Sequence, residues 1–440
     1  MYIAESSTGG IWIRIVGIIL LTCLVGLLFV SYGPQEFVEK KCGDCESSYL
    51  VVAENFASGK GWVDTQGNYA IDRGPLHTLV LSGVFYASAS ANLAFEKALV
   101  GFNILLFASC TVLIYLSIGA TWGYSRYSPL ALLFWGFCPY ALWFLPQAYS
   151  GNTQVFFICL TNFIWLRFAN RVDCLSEARF KCSWYILGLI CGLSALAGPI
   201  AIGLPGVYFL GTLFCWGWKR VLLKYKMLFL LVLGFASAIA PWSLSVYRNT
   251  DQFVILTDGV LARNSLVNGF TFATRGLEYR KPVALQSDVR KMMKEIDNKL
   301  FAAAQKESLT TLEVIKVIKE VAKQQPIVFL KFLGTKASRG WYGTDSHSAE
   351  NISRLISSVY LGCVLLLIVF MRKKDSIQKF SILNLMTLMS GYFWVMSLIF
   401  EPLVRYMVPA FGLVPILIAG LFMGGLATKN ETSIRARYHG

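Results

Sequence analysis

Between Cys42 and Ser82 an otherwise apolar chain gathers Asp44, Glu46, Asp64, Asp72 and Arg73. A carboxylate can take the proton of an attacking hydroxyl, and a guanidinium can hold a phosphate through two parallel hydrogen bonds. Proton abstraction beside phosphate binding is the chemistry these residue types offer. A plainer account uses the same residues. Either acid can cap a following helix, whose N-terminal dipole favours negative charge, and Arg73 can snorkel to lipid headgroups. Cys42 and Cys45 form a C-x-x-C with neither a second pair nor a neighbouring His, which leaves a zinc site incomplete. In an oxidising compartment a local disulfide is the better expectation.

The elements that must position these residues are membrane helices. Of the 440 residues 55% are hydrophobic, 14% aromatic and 15% charged, whereas soluble domains are about one-quarter charged. Apolar runs reach the roughly 20 residues that cross a bilayer. We expect spans at 11–31, 95–117, 129–145, 152–168, 184–196, 200–216, 227–246, 353–370, 380–400 and 404–426, the first retained rather than cleaved as a signal. The net charge of +15 gathers in the connections at 126, 167–181, 219–226 and 372–379 and in the tail with Lys429, Arg435 and Arg437, as the positive-inside rule requires. No basic stripe interleaves with aromatics, so a nucleic-acid partner is excluded. The rule also sets residues 75–90 as a juxtamembrane helix that does not cross, which leaves both chain ends cytoplasmic. His77 on that helix reads as structural or lipid-facing.

The expected organisation is an N-terminal transmembrane module (1–246) that carries the first outer loop (32–94), an outer helical subdomain (247–352), and C-terminal spans with a cytoplasmic tail (353–440). Thr310-Thr311-Leu312-Glu313 is a capping-box pattern opening an amphipathic helix, 287–303 reads as a second, and 326–334 is apolar enough to lie on the bilayer surface. Arg263, Asn264, Arg339, Trp341, Tyr342 and His347 are the polar and aromatic residues of this region that a ligand would meet.

The ordered pieces resemble GT-C membrane glycosyltransferases, and in pattern the protein O-mannosyltransferase and aminoarabinose transferase group. They are Asp44, then Tyr49, Ala53, Asn55, Gly59 and Gly61, then Asp72-Arg73-Gly74-Pro75-Leu76. Looser pieces follow at 188–199, at 241–249 and at Arg405-Tyr406-Met407-Val408-Pro409. The resemblance implies an all-α polytopic fold, a GT-C-like bundle of about ten transmembrane helices with juxtamembrane helices on the outer face. It implies a polyprenyl-phosphate sugar donor, an inverting displacement at the extracytoplasmic face, and Asp44 as general base with Glu46 as fallback. Arg73 stands where the aminoarabinose pattern has a lysine, so it and Arg405 are the donor-phosphate candidates. Asp72, Tyr49, Asn55, Tyr406 and Arg339 are supporting residues. Arg405 at the mouth of the last span also suits an interface anchor paired with Glu401.

Three departures qualify the likeness. The second outer turn, Pro146–Thr153, has the amides Gln147 and Asn152 where relatives often have an acid, so no cofactor is expected and a divalent metal is not favoured. Gly74 replaces a usual proline, and Cys45 stands beside the acid. The expected function is a glycosyltransferase of a membrane (bacterial inner or plasma membrane) with a glycan, a lipid or a protein as acceptor and membrane lipid as its surroundings. The rivals are a transporter or flippase of lipid-linked saccharides, and a non-catalytic subunit. The sequons Asn351-Ile352-Ser353 and Asn430-Glu431-Thr432 match by composition alone, and the second falls on the cytoplasmic side.

Overall fold

A computed structural model describes residues 8–33, 43–125, 128–169, 177–217, 226–272, 286–306, 309–344, 350–371 and 377–420. Cys42, His347 and the tail beyond 420 lie outside them, as do the side chains of Asp44, Cys45 and Glu46. The described residues are predominantly helical, with one isolated antiparallel bridge between Val63 and Tyr69. The chain divides into two compact units. The first holds Met1–Leu256, Leu366–Met389 and Pro409–Gly440, and the second holds Thr257–Leu365 and Ser390–Val408.

In the first unit the helices are α1 (Thr8–Tyr32), α2 (Gly43–Ala57), α3 (Pro75–Ser90), α4 (Phe95–Trp122), α5 (Gly151–Ala169), α6 (Glu177–Ala197), α7 (Leu204–Trp216) and α8 (Lys226–Thr250). Five helices of the chain are long and apolar enough to cross a membrane: Gly10–Tyr32, Phe95–Trp122, Pro199–Trp216, Lys226–Thr250 and Ser381–Ile399. They match five of the expected spans and make this an integral membrane protein. Trp12, Ile13, Val16, Leu20 and Leu24 stand exposed along α1, as lipid contact demands.

Small residues let two of these helices touch backbone to backbone. A methyl on Gly188 or Gly192 of α6 would fall well inside 3.0 Å of α8, and a methyl on Gly234 of α8 would do the same to Tyr185 of α6. Membrane helices lack a hydrophobic drive to associate, and such close approach supplies the dispersion contacts instead. Neutral hydrogen bonds add to it between α5 and α7: Tyr208 donates to Asn162 Oδ1 at 2.7 Å, and Trp165 Nε1 donates to Thr212 Oγ1 at 3.0 Å.

One expected span needs correction. Residues 129–145 do not form a continuous helix but three one-turn helices, Ser128–Ala131, Leu133–Gly136 and Pro139–Leu142. The break falls at Cys138, whose ψ of 108° leaves the helical region. The ring of Pro139 disfavours helical backbone in the residue before it.

In the second unit are α9 (Val260–Thr271), α10 (Ser287–Lys306), α11 (Thr311–Gln324) and α12 (Pro326–Arg339), followed by α13 (Glu350–Met371) and α14 (Ile377–Ile399), which run across the boundary of the two units. The capping box at Thr310 forms as expected. Glu313 N–H donates to Thr310 Oγ1 at 3.3 Å, and Thr310 N–H donates to Glu313 Oε2 at 2.7 Å. Val314, Ile318 and Val321 of α11 close on Met292, Met293 and Ile296 of α10 and on Phe332 of α12, which gives the unit a core of its own.

Candidate active site

Tyr49, Asn55, Asp72 and Arg73 lie about the corner between α2 and α3. Asp44 and Glu46 stand in the first two turns of α2. Further along, Tyr49 and Ala53, one turn apart, are buried against Leu81 and Val84 of α3, Leu99 of α4 and Ala148. That seam sets α2 on α3. The chain then leaves α2 through Gly59 and Gly61, whose φ values of +77° and +92° suit glycine. Asn55 donates to the Val63 carbonyl at 3.1 Å, and Asp64 Oδ1 accepts from the backbone of Gln66 at 2.8 Å and of Asn68 at 2.9 Å. Asp64 and Asn55 therefore shape the loop. Trp62 Nε1 closes it on the Ala70 carbonyl at 2.8 Å, and so returns Asp72 and Arg73 to the flank of α2.

Arg73 is held there from three sides. Its Nε donates to Ser48 Oγ at 2.8 Å and lies 3.7 Å from Asp72 Oδ2, and its guanidinium carbon is 5.2 Å from the centre of the Tyr49 ring. The Arg73 side chain is 17% exposed. Because Nε is the anchored atom, the two terminal nitrogens are the ones left to a ligand; among the described residues they make no hydrogen bond. This is the geometry in which a guanidinium meets a phosphate through a fork of donors.

His77, in the first turn of α3, is buried. Its Nε2 lies 3.1 Å from the Ala148 carbonyl and its Nδ1 lies 3.0 Å from Thr153 Oγ1. A carbonyl only accepts, so Nε2 carries the proton and Nδ1 accepts from the threonine hydroxyl. Both contacts reach the second turn, which is fixed from another direction by Asn103. The Asn103 amide donates to the carbonyls of Leu145 at 3.0 Å and Gln147 at 2.9 Å. Asn152 donates to the Phe144 carbonyl at 2.9 Å, and Gln147 is fully buried. The Asn152 amide thus serves the turn itself.

Burial pushes the pKa of His77 down to about 4 from an ordinary 6.5. Between those values the unfolded chain binds a proton that the folded chain refuses. Stability is complete above pH 6.5 and falls as pH drops towards 4, at up to about 1.4 kcal/mol per pH unit. Thermal unfolding of the purified protein between pH 4 and 8 is expected to show that slope, and His77→Gln is expected to flatten it.

The remaining candidates lie in the second unit. Arg405 Nη2 is 3.7 Å from Glu401 Oε2 and its guanidinium carbon 5.5 Å from the Tyr406 ring, both acid and base nearly buried. Arg339 is 1% exposed, is ion-paired with Glu350, and rests 4.4 Å over the Phe272 ring. Neighbouring Trp341 accepts the Ser357 hydroxyl on its carbonyl, and Tyr342 carries Arg354 at 4.3 Å.

Sequence reasoning missed three participants. Ser48 anchors Arg73, Thr153 orders His77, and the Leu196 carbonyl presses on Gly74 so closely that a methyl there would fall inside 3.0 Å. The last explains why glycine stands where proline is usual. No periodicity or spacing signals any of the three.

No protein-family model matches the chain, and no curated protein does. Solved structures do. One is an oligosaccharyltransferase from Archaeoglobus fulgidus tethered through a disulfide bond to an acceptor peptide containing the NVT sequon. It is 10% identical over 92% of this chain and 49% of that one, with a TM-score of 0.50. Another is the archaeal oligosaccharyltransferase AglB from Archaeoglobus fulgidus in complex with an inhibitory peptide and a dolichol-phosphate, 12% identical over 97% of this chain and 52% of that one, with a TM-score of 0.51. The chain spans about half the length of these proteins. At such identity the likeness establishes the fold, which is the GT-C fold expected from the first-loop residues.

Proposed function

From a chain with the GT-C fold we propose a membrane glycosyltransferase that moves a sugar from a polyprenyl-phosphate donor to an acceptor hydroxyl, with inversion, at the extracytoplasmic face of a bacterial plasma membrane. The observation that carries this reading is the anchoring of Arg73 by its Nε, which leaves the forked end of the guanidinium beside α2, whose first turn holds Asp44. The shared fold with proteins that bind a dolichol-phosphate and a peptide supports a lipid-linked donor and a glycan, lipid or protein acceptor.

The step is a single displacement. Asp44 accepts the proton of the acceptor hydroxyl as its oxygen attacks the anomeric carbon, and the bond from that carbon to the donor phosphate breaks. The polyprenyl phosphate leaves with the bonding pair, its charge met by Arg73. Arg405 is the second phosphate candidate on its own unit. No step is routed through a divalent ion, because Pro146–Thr153 contains no carboxylate and the Asn152 amide is committed to Phe144.

The test is donor consumption by the purified chain in lipid nanodiscs, with a panel of undecaprenyl-phosphate sugars. Release of undecaprenyl phosphate is expected for one donor and is expected to survive excess EDTA. Activity lost to the chelator and restored by Mg²⁺ or Mn²⁺ would overturn the metal-free step. Movement of intact donor across the bilayer without cleavage would replace transfer with transport.

A further inference from the structure

We propose that His77 is a positioning residue, through which the second turn sets the place of the Arg73 guanidinium. The inference rests on the reading that Arg73 binds the donor phosphate. Four contacts in series carry it, all within the first unit. The 145–153 turn is made rigid by Asn103, which binds two of its carbonyls, and by Asn152, which binds the Phe144 carbonyl just before it. That turn grips both nitrogens of His77, at 3.1 Å through the Ala148 carbonyl and at 3.0 Å through the Thr153 hydroxyl. A ring held at both nitrogens can neither flip nor rotate. Its centre lies 5.0 Å from that of Tyr49, with the two planes at 86°. Tyr49 in turn carries the Arg73 guanidinium at 5.2 Å from its ring centre.

The seam explains an otherwise wasteful arrangement. A buried histidine with two polar contacts costs desolvation, and an apolar residue would fill the same space beside Leu81 and Val84 more simply. What an apolar residue lacks is an orientation fixed from outside α3. The T-shaped contact passes that orientation to Tyr49, since an edge-to-face pair has one preferred geometry. The other supports of Arg73, Ser48 and Asp72, fix Nε only. The plane in which the terminal nitrogens lie is set by the ring beneath them. An error of about 1 Å in such a group is enough to lower catalysis by about a hundredfold.

The experiment is a double-mutant cycle read by the affinity of the full chain for undecaprenyl phosphate, measured by native mass spectrometry in detergent at pH 7.5. His77→Phe keeps an aromatic ring and removes both polar contacts. It is expected to weaken binding about tenfold, and Thr153→Val, which removes one contact, about threefold. His77→Gln, which can still donate to Ala148 but brings no ring to Tyr49, is expected to recover little of the loss. Arg73→Ala alone is expected to weaken binding more than tenfold, and adding His77→Phe to it is expected to weaken binding no further, because coupled residues are not additive. A structural role for His77 would give the same loss with and without Arg73, and that additive outcome overturns the positioning role. Undiminished binding by Arg73→Ala would instead overturn the phosphate reading of Arg73. Thr153→Val serves the cycle in the same way should His77→Phe fail to fold.

Discussion

Replacing Asp44 with Asn is expected to lower sugar transfer by about 10²–10⁴-fold, the usual contribution of a general base, and to leave the protein folded. The separation of the two effects comes from where the residue stands. Asp44 lies in the first turn of α2, and a carboxylate there gains only about 0.3–1 kcal/mol from the helix dipole. Asn is as good as Asp at a helix start, so the variant removes a proton acceptor and little else. Thermal stability is expected to change by less than about 1 kcal/mol, and undecaprenyl phosphate is expected to bind as before. Glu46 is the internal comparison. It is two residues further along the same helix, about 200° around the axis, and so on another face of it. Glu46→Gln is therefore expected to retain transfer. The opposite pattern, with Glu46→Gln dead and Asp44→Asn active, would move the base to Glu46. Full turnover by both variants would remove base catalysis from α2 and leave transport of a lipid-linked saccharide as the reading to pursue.

How far such residues can be read from sequence depends on how local their partners are. The bounds of α3, Pro75–Ser90, were legible because Pro75 at its first position and the Ser-Ala run before Asn92 punctuate it. The capping box at Thr310 was legible because both of its partners lie within four residues. The failure at 129–145 has the same root. Its composition is that of a span, and hydropathy outweighed the one local sign against it, Pro139 in the middle of the run. Distance in sequence hid the rest. Arg73 depends on Ser48, which is 25 residues away, and His77 depends on Thr153, which is 76 away. Neither pair follows from a periodicity. The likeness to a family pointed to Asp44 and Arg73, yet it offered no reason for His77, and it treated Gly74 as a departure when it is a contact. The division of the chain into two units, the second completed by 390–408, was hidden for the same reason.

Gly74→Ala is expected to damage the protein more than any other single-methyl change near the site. The backbone of Gly74, with φ −64° and ψ 136°, is ordinary for any residue, so conformational strain is not the cause. The cause is the Leu196 carbonyl oxygen at the end of α6, which occupies the place a methyl would take. A flexible side chain could swing aside, but a backbone carbonyl at a helix end cannot without moving the helix. Overpacking of this kind costs about 1–3 kcal/mol. The strain is relieved by displacing either α6 or the Asp72–Pro75 strap, and the strap, held through the Arg73 side chain rather than by a helix, is the softer of the two. Gly74→Ala is therefore expected to lower the melting temperature by several degrees and to weaken undecaprenyl phosphate binding as well. Gly83→Ala is the control. It lies in α3, the helix that Gly74 precedes, with nothing within 4 Å of its added methyl, and replacing glycine in a helix interior stabilises by about 0.5–1 kcal/mol. That variant is expected to melt no lower than the parent and to bind the phosphate normally. Proline at 74 carries the same β-carbon, so Gly74→Pro is expected to fail in the way alanine does, although its ring suits the φ angle. Were Gly74→Ala as stable as Gly83→Ala, the Leu196 carbonyl would have to stand clear of the strap in the working protein, and the rigidity assigned to this corner would be lost with it.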